Sequence, residues 1–501
     1  VAWQLHYTSA RSGPTGRPGF QFVAETADLP PGVRAAVTPL MAYRPPPHAP
    51  LSPGTAELTR FPVALAYDRV AGRPVLVRCR YLGQDYSGRQ GNFFAHAVVA
   101  EPDQLEGMRP VELWGAPLWT EQPGRGELPA LEELAPGEAF APEALAAWLA
   151  GLSAAPYGLL AALVDAVAAA LGRGHGRVVL VADDAELIAR WIAVVSYSLP
   201  VPAAARMSFI TYSADPGAAP QRIVGTTPDV WETAHHDGPV FHVDGRAVSH
   251  TPGRYARTAA DCWRDADFTG LDAMSELTDG VLRAAGPDAW PLDVVLDRAA
   301  ALLALCRGEE TLTPAEEAGV AALLTHGGAE PPEWAWRDLA PALPGASFDL
   351  AIAIMSWARP RDPGLADRCA ARCVVLALGD PALRSRLPAV DLPEPALTRL
   401  TPIVADALAG APDLTEVARI AGLAERVGAR LPAAEVEAAA AGCARRGAAD
   451  LMTALAGVRG GVREALLTGA LAGLEAADVP TRTAVLTDAA CDLVHESPGF
   501  G

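Results

Sequence analysis

VALAYDRVAGRPVLVRCRYLGQDYSGRQGNFFAHAVVA, residues 63–100, decides how the first third of this chain folds. Side chains alternate across a strand, so Val75, Val77, Cys79 and Tyr81 share one face while Arg78 and Arg80 point the other way. Ala71-Gly72, set between two alternating runs, predicts a hairpin turn. If NFFAHAVVA folds back beside VLVRCRYLG, the register that keeps Cys79 among apolar neighbours pairs it with Ala95. His96 then joins Arg78 and Arg80 on the polar face. The loop QDYSGRQGN hangs from the end of this hairpin and carries Asp85, Tyr86, Ser87, Arg89 and Asn92. Gly88 and Gly91 give it access to positive φ.

Working outward, WQLHYTSA, FQFVAET and PVELWGAPLW extend the alternating pattern over residues 1–140 and predict an antiparallel sheet with few helices. The proline-rich YRPPPHAPLSPG at 43–54 reads as a surface loop. Over residues 141–260 the period changes. APEALAAWLAGLS and YGLLAALVDAVAAALG are helical, and RVVLVA at 177–182 is an unbroken apolar run suited to a strand covered on both faces. DDAELIARWIAVVSYSL follows as a helix with Asp183 or Asp184 as N-cap, and MSFITYS and RIVGTT supply two more strands. Residues 261–501 are alanine- and leucine-rich amphipathic segments broken by Pro or Gly, without a strict repeat. The expected fold is multidomain α+β: a β-rich antiparallel domain (1–140), an α/β domain (141–260) and an all-α, solenoid-like domain (261–501).

Composition narrows the chemistry. The 501 residues hold 40 basic and 59 acidic side chains, a formal charge of -19, and every basic residue is an arginine. A Walker lysine, a Schiff-base lysine and a lysine general base all need an amine this chain lacks. The acidic balance repels polyphosphate, and no arginine-dense run interleaved with aromatics marks a nucleic-acid face. Seven scattered cysteines, odd in number and never spaced CxxC, read as reduced thiols, which points to a cytoplasmic protein. No secretion signal is expected from VAWQLHYTSARSG, and the uncharged stretch 191–205 is too short to span a membrane.

Several groups of residues carry chemical possibilities. Arg78, Arg80, Asp85, Tyr86, Ser87, Arg89, Asn92 and His96 form a constellation able to bind an anionic or peptide-like ligand, or else a plain hydrated sheet face. His6 lies opposite Trp3, Leu5 and Tyr7, and would converge on His96 if the two strands were neighbours. Without a GxSxG elbow or HExxH, these two imidazoles are the sole, weak catalytic candidates. Cys79 reaches His96 only if the register slips by one residue, so it reads as a structural thiol. GRGHGR at 172–177 precedes a strand instead of following one, and Asp183 and Asp184 come after that strand, which predicts no phosphate loop. In HHDGPVFHVDGRAVSH, His235, His236, His242 and His250 with Asp237 and Asp244 fall on different faces if the two Asp-Gly pairs are turns. Neither a metal nor a cofactor is expected.

WQLHYTSARSGPTGRPGFQFVAET followed by YLGQDYSGRQGNFFAHAVV resembles the N-terminal domain, second subtype, of bacterial GTPase-associated protein 1. RMSFITYSADPGAAPQRIVGTTPD is similar to that family's middle domain, and the helical remainder takes the place of its C-terminal domain. The resemblance singles out His6, Tyr7, Ser9, Gly19, Phe20, Gln21, Asp85, Ser87, Gly88, Arg89, Asn92 and His96. It implies a cytoplasmic component of actinobacterial conflict systems, acting beside a separate GTPase and other system subunits. The resulting expectation is a non-enzymatic adaptor or scaffold. The alternative is a hydrolase-like or nucleotide-processing N-domain using His6 and His96. Geometry separates the two: imidazoles converging in a pocket favour the enzyme, and outward-facing rings on an open sheet favour binding.

Overall fold

In the computed structural model, residues 1–12, 16–50, 52–152, 156–234, 238–243, 251–284, 290–308, 312–326, 331–447 and 450–496 are described. Among the described residues ten strands carry the first half: β1 Ala2–Ala10, β2 Gly19–Thr26, β3 Ala64–Val70, β4 Arg73–Gln84, β5 Gln90–Ala100, β6 Gly126–Leu128, β7 Val178–Val181, β8 Phe209–Ile210, β9 Ile223–Thr226 and β10 Val240–His242. They form one mixed sheet in the order β10-β7-β9-β8-β3-β4-β5-β1-β2-β6. The β3–β4 turn falls at Ala71 and Gly72, both at positive φ, as a tight hairpin with right-twisted strands demands. Cys79 pairs with Ala95 and Arg78 with His96, the register that alternation alone selects.

From β3 to β2 the neighbours are antiparallel, and from β10 to β8 they are parallel. The two regimes meet where β8 lies antiparallel to β3, pairing Ala66 with Ile210 and Tyr67 with Phe209. Only two residues make this joint, but Thr211 lengthens it. Its hydroxyl accepts from Leu65 N (2.9 Å) and donates to Val63 O (3.1 Å).

One expected strand is absent. In PVELWGAPLW, residues Pro110–Leu113 form a 3-10 turn with Pro110, Val111 and Leu113 buried. Proline has no N–H to give a ladder, and the Trp119 indole instead donates to Leu113 O. The turn packs against helix Ala185–Tyr197. Arg109 fastens it, donating to the carbonyls of Ser196 (2.9 Å) and Leu199 (3.3 Å) and lying 4.5 Å from the Tyr197 ring centroid.

Helix Pro156–Arg173 is long and apolar enough to cross a membrane by length and composition, but its apolar residues, Leu159, Leu160, Leu163, Val164 and Val167 among them, are buried in the protein. Asp184 is the N-cap of helix Ala185–Tyr197, accepting from Glu186 N. The glycines before β7 offer carbonyls, not amides, to charge: Gly174 O and Gly176 O accept from the Arg222 guanidinium. His235, His236, Asp237, Asp244 and His250 lie outside the described residues, while His242 ends β10, which runs parallel to β7.

The chain divides into two compact units, residues 1–304 with 327–332, and residues 305–326 with 333–501. The second is helical. Phe348–Ala358, Pro363–Gly379 and Leu414–Arg426 start on side-chain caps from Ser347, Asp362 and Asp413, which satisfy amides that have no partner within the helix. Most of the helix pairs in contact are one or two places apart in sequence, the arrangement of a solenoid-like array, while Leu414–Arg426 also packs on Gly460–Ala476, three places on.

Candidate functional site

β1 and β5 are neighbours, and His6 stands directly across from His96, their rings 4.5 Å apart and edge to face. The two imidazoles do converge. They line neither a pocket nor an open sheet, however: His6 is 2% exposed and His96 1%. The segment Trp119–Pro129 covers them as a strap. Gly124 N donates to His6 Nδ1 (2.8 Å) and Thr120 N to His96 Nδ1 (3.3 Å). Each Nδ1 is thus an acceptor, which places the ring proton on Nε2 and leaves both imidazoles neutral. His96 Nε2 donates to Gln4 Oε1 at 3.0 Å, and Gln4 Nε2 donates to Pro129 O at 2.8 Å, closing a network that runs from strand to strap. The Trp119 ring sits edge-on to His96 at 5.1 Å.

Burial sets the electrostatics of this face. Desolvation lowers the His6 pKa to about 4. Desolvation, then the charges of His6 and Arg78, lowers that of His96 to about 3. Arg80 reaches Glu121 on the strap at 2.5 Å. Arg78 is half-buried, and its Nε has no hydrogen-bond partner among the described residues. Cys79 lies on the opposite face, in the apolar cluster with Val77, Ala95 and Ala97, and burial pushes its thiol up to about 12. It is a packing residue, and a thiolate dyad with His96 does not form.

The loop 84–92 is a separate feature. Arg78 and Arg80 lie five to seven strand residues from Asp85, roughly 15–25 Å at the usual rise, so they and His96 do not converge with it. Asp85 organises the loop from within. Its Oδ1 accepts from Ser87 N (2.8 Å), Ser87 Oγ (2.6 Å) and Arg89 N (3.0 Å), and its Oδ2 accepts from Arg89 Nε (3.1 Å) and Ser9 Oγ (3.3 Å). These bonds, the Ser87 hydroxyl first, hold its carboxyl well below the usual range. Gly88 takes φ 82°, closing the turn where Cβ would be strained. Asn92 is buried beneath, its Oδ1 accepting from Thr8 Oγ1 (3.2 Å) and Ser9 N (3.3 Å).

The loop is therefore rigid, and it presents side chains its internal bonding leaves at the surface. Tyr86 is 37% exposed, and Phe20 at the start of β2 is 43% exposed. Phe20 stacks on Phe93 (4.7 Å) and Tyr7 (5.8 Å), so its ring is held in place instead of sweeping through solvent. Arg89 is exposed and anchored to Asp85. The residues that the sequence marks thus separate: His6 and His96 hold the strap, where Arg80 also pairs with Glu121 and Arg78 lies half-buried, Asp85, Ser87 and Asn92 set the loop, and Tyr86 and Arg89 face outward. Gln4, Thr120, Gly124 and Glu121 join the site without belonging to the constellation expected from the sequence. Of these, only Gln4 had a signal, two residues before His6 on the same strand face.

Fold and site together define a two-unit protein: a mixed ten-stranded sheet with a sealed imidazole pair and a rigid aromatic-flanked loop, and a helical array. Residues 1–134 match the family description "GTPase-associated protein 1, N-terminal domain type 2", and residues 145–245 match "GTPase-associated protein 1, middle domain". The chain carries the type 2 N-terminal and middle domains of the GTPase-associated protein 1 family. It is also 31% identical over 221 residues to a protein of Mycolicibacterium smegmatis (strain MKD8) named "Putative ESX-1 scaffolding and assembly protein SaeB", across 42% of this chain and 26% of that protein. The same-named protein of strain ATCC 700084 / mc(2)155 is 32% identical over 166 residues, 32% of this chain and 20% of its own length. The chain thus spans about a quarter or less of the curated relatives it matches.

Proposed function

We propose that this chain is a non-enzymatic adaptor or scaffold that works in the cytoplasm beside a separate GTPase, within a multi-subunit bacterial conflict (defence) system. Its N-terminal domain recognises a protein through the loop 84–92 and the adjoining aromatic surface. One observation carries the reading: both imidazoles are buried, neutral and bonded on Nδ1 to the strap, so neither is placed to take a proton from a substrate. What the N-domain offers outward is Phe20, Tyr86 and Arg89, residue types that anchor protein interfaces. The family domains and the scaffolding named for the relatives support the same direction.

The test is co-purification with the proposed GTPase partner, loaded with GTP or GDP. The expected result is capture in one nucleotide state, weakened about tenfold or more by the double change Tyr86→Ala and Arg89→Ala, as for interface anchors. Failure to associate in either state sinks the proposal.

A further inference from the structure

Helix Gly460–Ala476 of the helical unit packs through one side and shows solvent the other. Gly469 and Gly473 lie against helix Ala433–Arg445, whereas Leu467 and Leu471 are 38% and 47% exposed. At 3.6 residues per turn, both leucines stand within about 20° of the direction opposite Gly469, so they form one outward patch. Among the described residues eight large hydrophobic side chains are exposed, and four of them, Leu467, Leu471, Val479 and Leu486, belong to this helix and the next, Val479–Glu496. Scattered surface leucines need no explanation, but a concentration of them in one stretch marks an interaction surface.

Charge on the same row says what fits there. Arg463, Leu467, Leu471 and Glu475 follow one another at intervals of four, all exposed, and the two charged side chains make no ion pair or hydrogen bond within the described residues. A row reading Arg-Leu-Leu-Glu is its own complement when reversed. Two copies crossing in opposite senses about a twofold axis at residue 469 set Leu467 against Leu471 and Arg463 against Glu475, each contact occurring twice. A crossing of about 50° lays rows of this spacing alongside each other. Copies running in the same sense would put arginine on arginine and glutamate on glutamate, which repel. Thr468 and Ala472, also exposed, flank the leucines with short side chains and leave room for the approach.

We propose that this face of helix Gly460–Ala476 binds a second copy of the chain in the opposite sense, four leucines meeting at the axis and an Arg463–Glu475 pair closing each end. The inference concerns the helical unit and stands independently of any GTPase.

The test is sedimentation velocity on the full chain over a range of concentrations. The expected result is a monomer–dimer equilibrium, weakened about tenfold or more by Arg463→Glu or by Glu475→Arg, since either change sets like charges opposite each other at both ends. Mixing these two single variants is expected to restore association, because every pair across the axis is then of opposite charge. The double variant Arg463→Glu/Glu475→Arg is expected to self-associate as the unaltered chain does. Recovery on mixing also shows that the single variants are folded. Leu467→Ser/Leu471→Ser is expected to be monomeric throughout. An unaltered chain that stays monomeric across the range overturns the proposal and leaves the face to a different partner. A dimer that the single reversals do not weaken, or that mixing does not restore, uses another surface and overturns it as well.

Discussion

At the scale of single residues, His6 and His96 make stability depend on pH in a direction that can be worked out. Each pKa drops on folding, from 6.5 to about 4 and about 3. Between those values and 6.5 the unfolded chain binds more protons than the folded one, so stability rises with pH across that interval. The full contribution is present above about pH 6.5 and is lost as pH falls toward 4. The urea midpoint is therefore expected to decline between pH 6.5 and 5, before most carboxylates titrate, and the His6→Gln/His96→Gln protein is expected to show a flatter decline. An equal slope in both proteins would mean that the imidazoles are not sealed. Asp85→Ala belongs to the same scale: with the loop's internal acceptor gone, amide exchange at Ser87 and Arg89 is expected to quicken while the thermal midpoint stays near that of the parent. Much of this was legible. A period of two put His96 opposite Arg78 and on the face of His6, because one apolar face allows one register. The strap was not legible, since TEQPGRGELP reads as a polar loop and bonds through backbone amides that leave no mark in composition.

At the scale of elements, the helical unit depends on two devices. Gly469 and Gly473 of helix Gly460–Ala476 lie against the backbone of helix Ala433–Arg445, where a Cβ would collide with the carbonyls of Glu437 and Ala441. Gly473→Ala is expected to force the pair apart, destabilising by about 1–3 kcal/mol as overpacking does, which a denaturant titration would read. The second device is Arg384. Its guanidinium donates to Ala377 O (2.8 Å) and Leu378 O (3.0 Å), and also grips both oxygens of Glu416 (3.0 and 2.5 Å). Arg384→Ala would leave a largely buried carboxylate with only the distant Arg419 guanidinium (4.0 Å) as a charge partner, at a cost of about 3 kcal/mol, whereas Arg384→Ala/Glu416→Ala should recover part of it. The helices themselves were plain in the sequence from spacing and breaks. Which helix faces touch was not, because alanine-rich segments carry little contrast between one face and another.

At the scale of the whole molecule, the sheet runs through both family-matched segments, and that continuity has consequences. Sequence patterning shows an antiparallel run and a later α/β run, but the joint is Phe209–Ile210 with the Thr211 hydroxyl, too short to announce itself. The joint buries β3 on its outer edge, where Leu65 and Tyr67 are at most 1% exposed. Tyr67 also donates to Ala205 O at 2.7 Å, and Arg109 reaches across to Ser196 and Leu199. A fragment ending at residue 134 would strip these partners away and expose the apolar β3 edge from Val63 to Tyr67 with its unpaired backbone groups, a template for edge-to-edge association. Fragment 1–134 is accordingly expected to elute as aggregate in size-exclusion chromatography, while fragment 1–308, which keeps the whole sheet and its covering helices, elutes as a discrete species. A soluble, monodisperse 1–134 with native strand content would show that the N-terminal domain closes its own core and that β8 only leans on it. In that case the strap and loop would have to be held in place by residues 1–134 alone.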